Sequence, residues 1–325
     1  MSTNVNTQDN NLHRQPHLTE SLIMVEPLDF GFNPQTGLDN EFQHQPSSNQ
    51  SEEIKLSAQK EFNQMVEKLS RTGLEIITLG KPHTKAPLPD AVFPNNWFST
   101  RNDGTLFIYP MKTENRKAEV QQDSLSQKLS GEGYQIKKVM DLRNQYQPKV
   151  ALEGTGSLIF HHPSSQVFAA ISERCDPEAF KEFCDTYGYR ANLMQTKSAK
   201  GTPIYHTNVL MSCGENFALI AEPVISDDIS SQQTLSNLRD IVSDVITISE
   251  AQMAENFCGN ILQVKNNEGT PLILMSQSAL EGFNRAQIKT LEAHGEIVAC
   301  AIPTIEYVGG GSVRCMLAEN FLPRR

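Results

Sequence analysis

No stretch of this sequence approaches the ~20 consecutive apolar residues of a membrane span. The longest early apolar run, Leu22 to Val25, is too short for the core of a secretory signal. Basic residues are few: 28 Lys and Arg stand against 38 Asp and Glu, a formal charge of −10. That argues against nucleic acid or an anionic membrane surface as a partner, since both require a basic face. Cysteine is sparse. The six thiols (Cys175, Cys184, Cys213, Cys258, Cys300, Cys315) form neither a CxxC pair nor a zinc-ligand spacing, and they are too few for a disulfide scaffold. We expect reduced thiols, a cytoplasmic location, no metal and no organic cofactor. Charged residues are 20% and apolar residues 38%. Uncharged polar residues fill the difference, many of them among the first 50 positions, so the remainder can bury a sizeable core.

Length alone, 325 residues at ~150 per domain, suggests about two domains. The order of elements replaces that expectation. Residues 1–19 are polar and read as a disordered tail. Leu22 to Leu28 reads as a strand, followed by a polar loop from Gly31 to Ser51 long enough to close over a site. Ile54, Ala58, Phe62, Met65, Val66 and Leu69 mark one face of a helix that ends near Gly73, and Glu75 to Leu79 is a strand. Hairpins then begin at Asn96, Ser157, Asn208 and Asn260, with a fifth start at Ser312. The spacings are 61, 51, 52 and 52 residues. Helices separate them, one opening at Pro177 with Asp176 as its N-cap and another running from Ser278 to His294. Regular spacing of this kind signals a repeat architecture. Five units of hairpin, helix and strand form one domain over residues 20–325. The strand near Leu22 completes the last sheet, which closes a ring and removes a free edge.

In such a ring the corresponding strand starts converge near the axis, and a ligand there meets one segment from each unit. Those segments carry Asp90, Asn95, Asn96, Glu153, His206, Asn208 and Cys315. Gly309-Gly310-Gly311 precedes Cys315 and permits close approach of a ligand, with no Lys-Ser/Thr to make it a phosphate loop. His206 titrates in the range useful for acid–base chemistry, and a carboxylate such as Glu153 between Leu152 and two glycines must be paired. His161-His162 sits by a turn without partners and reads as surface.

These residues, with Phe30-Gly31-Phe32-Asn33, Pro89 to Trp97, Pro110-Met111, Asn115-Arg116, Leu152 to Ser157 and Gly309 to Met316, carry a resemblance. From about Leu22 onward the chain resembles the guanidino-group-modifying superfamily, the penteins, and looks most like its amidinotransferase-like, citrulline-utilisation hydrolase branch. The resemblance implies an α/β fold, a five-bladed α/β propeller of ββαβ repeats with pseudo-fivefold symmetry. It also implies Cys315 as nucleophile, His206 as acid–base and Glu153 as the residue orienting His206. Arg116 falls where relatives place an arginine near the substrate carboxylate. The aspartates with which arginine deiminases hold a guanidinium fall on Asn96 and Asn208.

An amide offers a donor and an acceptor but no charge, so the two asparagines favour a neutral ureido group. Asp90 lies nearby as an acceptor for a cation. The expected function is hydrolysis of a C–N bond in a ureido or guanidino amino acid, citrulline to ornithine first, through a covalent S-carbamoyl-cysteine. Asp90, Asn96, Asn208, Arg116, Gly310 and Gly311 are the expected substrate contacts. Arginine or methylarginine hydrolysis, amidino transfer and a non-catalytic binding protein are the alternatives, and a homo-oligomer is compatible with all of them.

Overall fold

Apolar runs bounded by turn residues set the sheets of this chain. Its structure, a computed structural model, describes residues 15–46, 50–81, 84, 86–147 and 149–325. Strand β1 is Ser21–Val25 and β2 is Glu75–Leu79, with the helix Ser51–Arg71 between them. That helix buries Ile54, Ala58, Phe62, Met65 and Leu69, the face expected from their three- and four-residue spacing. Full burial of each larger side chain contributes about 1.5–3 kcal/mol. Three hairpins and their following strands are β3 (Phe98–Thr100), β4 (Thr105–Ile108), β5 (Lys138–Asp141); β6 (Ile159–His161), β7 (Gln166–Ala170), β8 (Arg190–Met194); and β9 (Met211–Cys213), β10 (Phe217–Ile220), β11 (Asp244–Thr247). The fourth is β12 (Leu262–Lys265), β13 (Pro271–Ser276) and β14 (Glu296–Cys300), and β15 is Ala318–Glu319.

These strands make five three-stranded sheets of one pattern. The middle strand pairs antiparallel with the strand before it, across a tight turn, and parallel with the strand after it, across a helix. The fifth sheet joins the two ends of the described chain. Strand β15 pairs with β1 through Leu22↔Glu319 and Ile23↔Ala318, and β1 pairs with β2. The strand near Leu22 thus supplies the missing edge, over Ser21–Val25 rather than to Leu28. The middle strands β1, β4, β7 and β10 are buried along their whole length, which explains why they are apolar after at most one polar first residue. No helix of the described residues is long and apolar enough to cross a membrane.

Three expectations change. The five start residues do not lie in strands. Asn96 ends the turn Pro94–Asn96, Ser157 ends Gly154–Ser157 and Asn208 lies in Thr207–Leu210. Ser312 precedes the turn Val313–Met316, and the Asn260 amide closes a turn on the Phe257 carbonyl. Four of the segments make one helical turn before their strand and the Asn260 segment a plain turn, and neighbouring turns touch one another. The helix expected over 278–294 is two helices, Gln277–Gly282 and Arg285–Glu292, because Asn284 accepts from the Ala286 and Gln287 amides and starts a second helix. By contrast, the Asp176 cap on Pro177–Tyr187 is present.

The third change concerns the tail. Residues 1–14 lie outside the described residues, but 15–19 are packed. Thr19 donates to the Asn320 carbonyl at 2.6 Å and its own carbonyl accepts from Lys265 N, while Gln15 accepts from Asn102 N. Polar side chains here satisfy strand-end backbone groups, which composition cannot distinguish from solvated tail. His17 lies under this segment with its ring 5.5 Å from His161 and 5.9 Å from His162. All three rings are buried, so the His161-His162 pair is not surface. His162 stacks on Phe160, and burial lowers its basicity. Among the described residues no group of three or more His, Cys, Asp or Glu side chains could hold a metal ion.

Candidate active site

The glycine run ahead of Cys315 follows the helix Pro303–Gly309. The N-terminus of that helix has no side-chain cap of its own. Instead Glu61, from the long helix Ser51–Arg71, accepts from Thr304 N at 2.9 Å and Ile305 N at 3.1 Å. Gly310 ends the helix with a left-handed backbone, φ +61°, which glycine adopts without strain. Ser312 Oγ donates to Glu306 at 2.6 Å, and Cys315 N donates to the Ser312 carbonyl at 3.0 Å. The loop leading to Cys315 is thus held at both ends. Cys315 Sγ accepts from Asn208 Nδ2 and from Asn260 Nδ2, each at 3.3 Å. Burial pushes the thiol up, and hydrogen bonds from Ser312, Asn260 and Asn208 oppose it. Burial likewise pushes Cys184, Cys213 and Cys258 up to about 12.

Glu153 faces His206. Its Oε2 accepts from Nε2 at 2.8 Å, which protonates Nε2 and leaves Nδ1 as the basic nitrogen. Glu153 Oε1 accepts from Lys112 N at 2.9 Å. Burial raises the Glu153 carboxyl, but Arg174, the His206 hydrogen bond and Arg116 together hold it down to about 2. His206 is lowered, chiefly by burial. Arg174 lies over the Tyr205 ring and pairs with Asp39 at 2.5 Å. On the other wall, Asp90 Oδ2 accepts from Asn33 Nδ2 at 2.7 Å and from Thr36 Oγ1 at 2.8 Å. Its Oδ1 is buried without a partner.

Cys315, His206, Asp90, Asn96, Arg116 and Gly311 line one small cavity, together with Asn40, Phe93, Arg174, Tyr205 and Gly309. The polar loop covers it: Asn40 donates to the Gly310 carbonyl and Gln43 to the Gly309 carbonyl. Cys315 and His206 are each only 3% exposed.

A buried thiol, an imidazole oriented by a carboxylate and an unpaired aspartate oxygen around one cavity suit attack on an electrophilic carbon held by a cation contact. The family model for N,N dimethylarginine dimethylhydrolase, eukaryotic, matches residues 26–322. The chain belongs to this family.

As a dimethylarginine dimethylhydrolase family member it is a pentein-superfamily hydrolase acting on C–N bonds other than peptide bonds. Among solved structures, ArgZ, an arginine dihydrolase from the ornithine-ammonia cycle in cyanobacteria, matches with a TM-score of 0.69 and 15% identity over 93% of this chain. The chain spans 41% of that protein and 99% of its N-terminal domain, which was solved as a cysteine-to-serine variant bound to substrate (TM-score 0.68, 15% identity). DDAH from Pseudomonas aeruginosa, as a cysteine-to-serine variant complexed with citrulline, matches at 0.63 and 14% over 93% of this chain and 100% of its own. At these identities the likeness is one of fold. No curated protein matches the chain.

The positions expected in this family member from its sequence fall into three groups. Cys315, His206, Asp90, Asn96, Arg116 and Gly311 reach the cavity, with Glu153 behind His206. Asn208 stands behind the sulfur rather than in the cavity wall, and Gly310 turns its carbonyl to the Tyr205 hydroxyl at 2.8 Å. Arg116 has a second engagement besides the cavity. Its guanidinium is buried, paired with Glu119 at 2.8 Å, and donates to Asn96 Oδ1 at 2.7 Å and the Phe93 carbonyl at 2.9 Å. It therefore anchors Asn96 from within the cavity wall, with Glu119 balancing its charge.

Sequence reasoning missed Asn40, Phe93, Arg174, Tyr205 and Asn260. Asn260 alone had a signal, because it occupies the start position of the fourth unit, as Asn96 and Asn208 do in theirs.

Gly156 sets the distance between His206 and Asn96. A Cβ there would lie 2.2 Å from Asn96 Nδ2 and 3.0 Å from the His206 ring. Gly156→Ala is expected to keep the fold but displace both side chains, lowering kcat/KM by ~100-fold, as small misplacements of reacting groups do. Steady-state kinetics alongside far-UV circular dichroism checks this.

Proposed function

We propose that this chain hydrolyses a guanidino C–N bond of arginine or a methylated arginine. The observation that carries this reading is Asp90. A buried carboxylate whose inner oxygen is held by Asn33 and Thr36, and whose other oxygen has no partner, asks for a donor with charge. A guanidinium supplies one. The pair of asparagines, which favoured a ureido group, does not act as a pair: Asn208 serves the sulfur and Asn96 Oδ1 is taken by Arg116.

The chemistry follows from the residues. Cys315 gives its proton to His206 Nδ1 and attacks the central carbon. As the carbon–nitrogen bond breaks, His206 passes the proton to the departing ammonia or methylamine, leaving a cationic S-alkylthiouronium. Water then loses a proton to His206, adds to the same carbon and releases a ureido product as the carbon–sulfur bond breaks. Glu153 fixes the imidazole tautomer and stabilises the imidazolium. Burial holds the free thiol up. A bound cation beside it favours the thiolate, so ionisation accompanies binding.

Asn96 Nδ2, buried without a partner, favours a second reading in which a neutral ureido oxygen takes that donor and citrulline is hydrolysed in turn to ornithine through S-carbamoyl-cysteine. We further read the five like sheets as blades of a five-bladed α/β propeller with pseudo-fivefold symmetry, forming one catalytic domain over residues 20–325. The six free thiols support a reducing, cytoplasmic setting. Incubation with arginine, methylarginines and citrulline tests the reading. Citrulline with ammonia or methylamine is the expected product. Ornithine from supplied citrulline, with no turnover of any guanidino compound, would replace it with the ureido reading.

A further inference from the structure

The sulfur of Cys315 meets two side-chain amides, and they are not equivalent. Asn260 Nδ2 lies 3.3 Å from Sγ and also donates to the Asn208 carbonyl oxygen at 2.8 Å. The second bond fixes which end of this amide faces the sulfur. Turned over, Asn260 would set Oδ1 against a carbonyl oxygen in a fully buried place, acceptor against acceptor. Its own Oδ1 is left without a partner, so the residue forgoes one hydrogen bond while both N–H groups are used. Asn208 has no such constraint. Its Oδ1 is unpartnered, and either end of its amide can face the sulfur. Among the described residues no lysine or arginine hydrogen-bonds to Sγ, and burial disfavours its charge.

We propose that Asn260 is a further catalytic residue, a preoriented donor that stabilises the Cys315 thiolate; the assignment rests on the reading of Cys315 as nucleophile. Asn208 can follow the sulfur through its cycle, accepting from S–H through Oδ1 and donating to S⁻ through Nδ2. Asn260 cannot turn. It offers an N–H to the sulfur in both states, and a thiolate accepts that bond far better than a thiol. The bias toward S⁻ is therefore built in before substrate arrives, and no proton moves to or from the amide.

The test reads the thiolate directly, without substrate. Thiolate ultraviolet absorbance is titrated for the chain and for Cys315→Ser, and the difference isolates Cys315 from the other five thiols. The same difference is taken in Asn260→Ala and in the isosteric Asn260→Asp. Loss of one hydrogen bond to a charged group is expected to raise the Cys315 midpoint by about one to two pH units in the alanine variant. A rise is expected in the aspartate variant too, where a carboxylate faces the sulfur. Turnover at a fixed neutral pH should fall about ten- to a hundredfold and recover as the pH is raised.

An unmoved midpoint in either variant that folds, whatever its activity, would overturn the proposal and leave Asn260 a structural residue. If the alanine variant fails to fold, the aspartate variant carries the test alone. A shifted midpoint in a chain that turns over no guanidino compound would retire the functional reading while keeping this assignment.

Discussion

Cys315→Ser is expected to abolish turnover, lowering kcat by at least ~10⁴-fold, the order seen when a covalent nucleophile is removed. The reasoning is electrostatic. On the proposed reading, two amide donors at 3.3 Å and a bound cation lower the free energy of a sulfur anion. A serine hydroxyl in the same place is too weak an acid to be ionised by the same contacts. Its smaller size leaves the packing intact, so thermal melting should be unchanged within a degree or two, which separates lost chemistry from lost fold. Mass spectrometry gives a second readout: acid quenching of the unaltered chain during turnover should leave an adduct on the peptide bearing Cys315. Turnover retained in the serine variant, or an adduct on another of the six cysteines, would show that the nucleophile lies elsewhere.

Much of this site was legible because the repeat carried it. Once unit starts recur at a nearly fixed spacing, like units bring Asn96, Glu153, His206 and Cys315 near one another whatever the intervening sequence. The expected helix face over Ile54 to Leu69 and the Asp176 cap followed from local periodicity and capping chemistry, which act within a few residues. What stayed hidden depends on contacts between distant segments. Arg174 lies between Glu173 and Cys175 and looks solvated, yet it is buried because Asp39 reaches it from the covering loop. Arg116 lies in the cavity wall, but nothing local reveals that Glu119, Asn96 and the Phe93 carbonyl hold its guanidinium there. Residues 15–19 were read as tail because a polar segment that satisfies strand ends has the composition of one that does not.

Asp90→Asn is expected to separate stability from activity, in opposite directions. An asparagine Oδ1 can take the place of Asp90 Oδ2 and accept from Asn33 and Thr36, leaving its NH₂ group where the unpaired oxygen stood. Burial raises the Asp90 carboxyl above its ordinary value, against the opposing pull of Arg116 and of the bonds from Thr36 and Asn33. An acid raised on folding contributes its stability below its unfolded-state value, near 3.8, and loses it as pH rises through the folded value. At neutral pH the native chain carries that cost and the asparagine variant does not. Its melting temperature should therefore be higher at neutral pH, with the gain shrinking as pH falls toward 4.

Activity should move the other way. The variant turns a donor toward the guanidinium and removes its one unpaired counter-charge, which leaves a buried cation unmatched. kcat/KM for arginine or a methylarginine should drop about 10²- to 10³-fold, the usual consequence of breaking a buried charge pair. A neutral ureido substrate makes no demand for that charge, so citrulline turnover, where present, should fall far less. If arginine kinetics are unchanged in a variant that melts higher, Asp90 is a burden on folding and the cation is held by other residues.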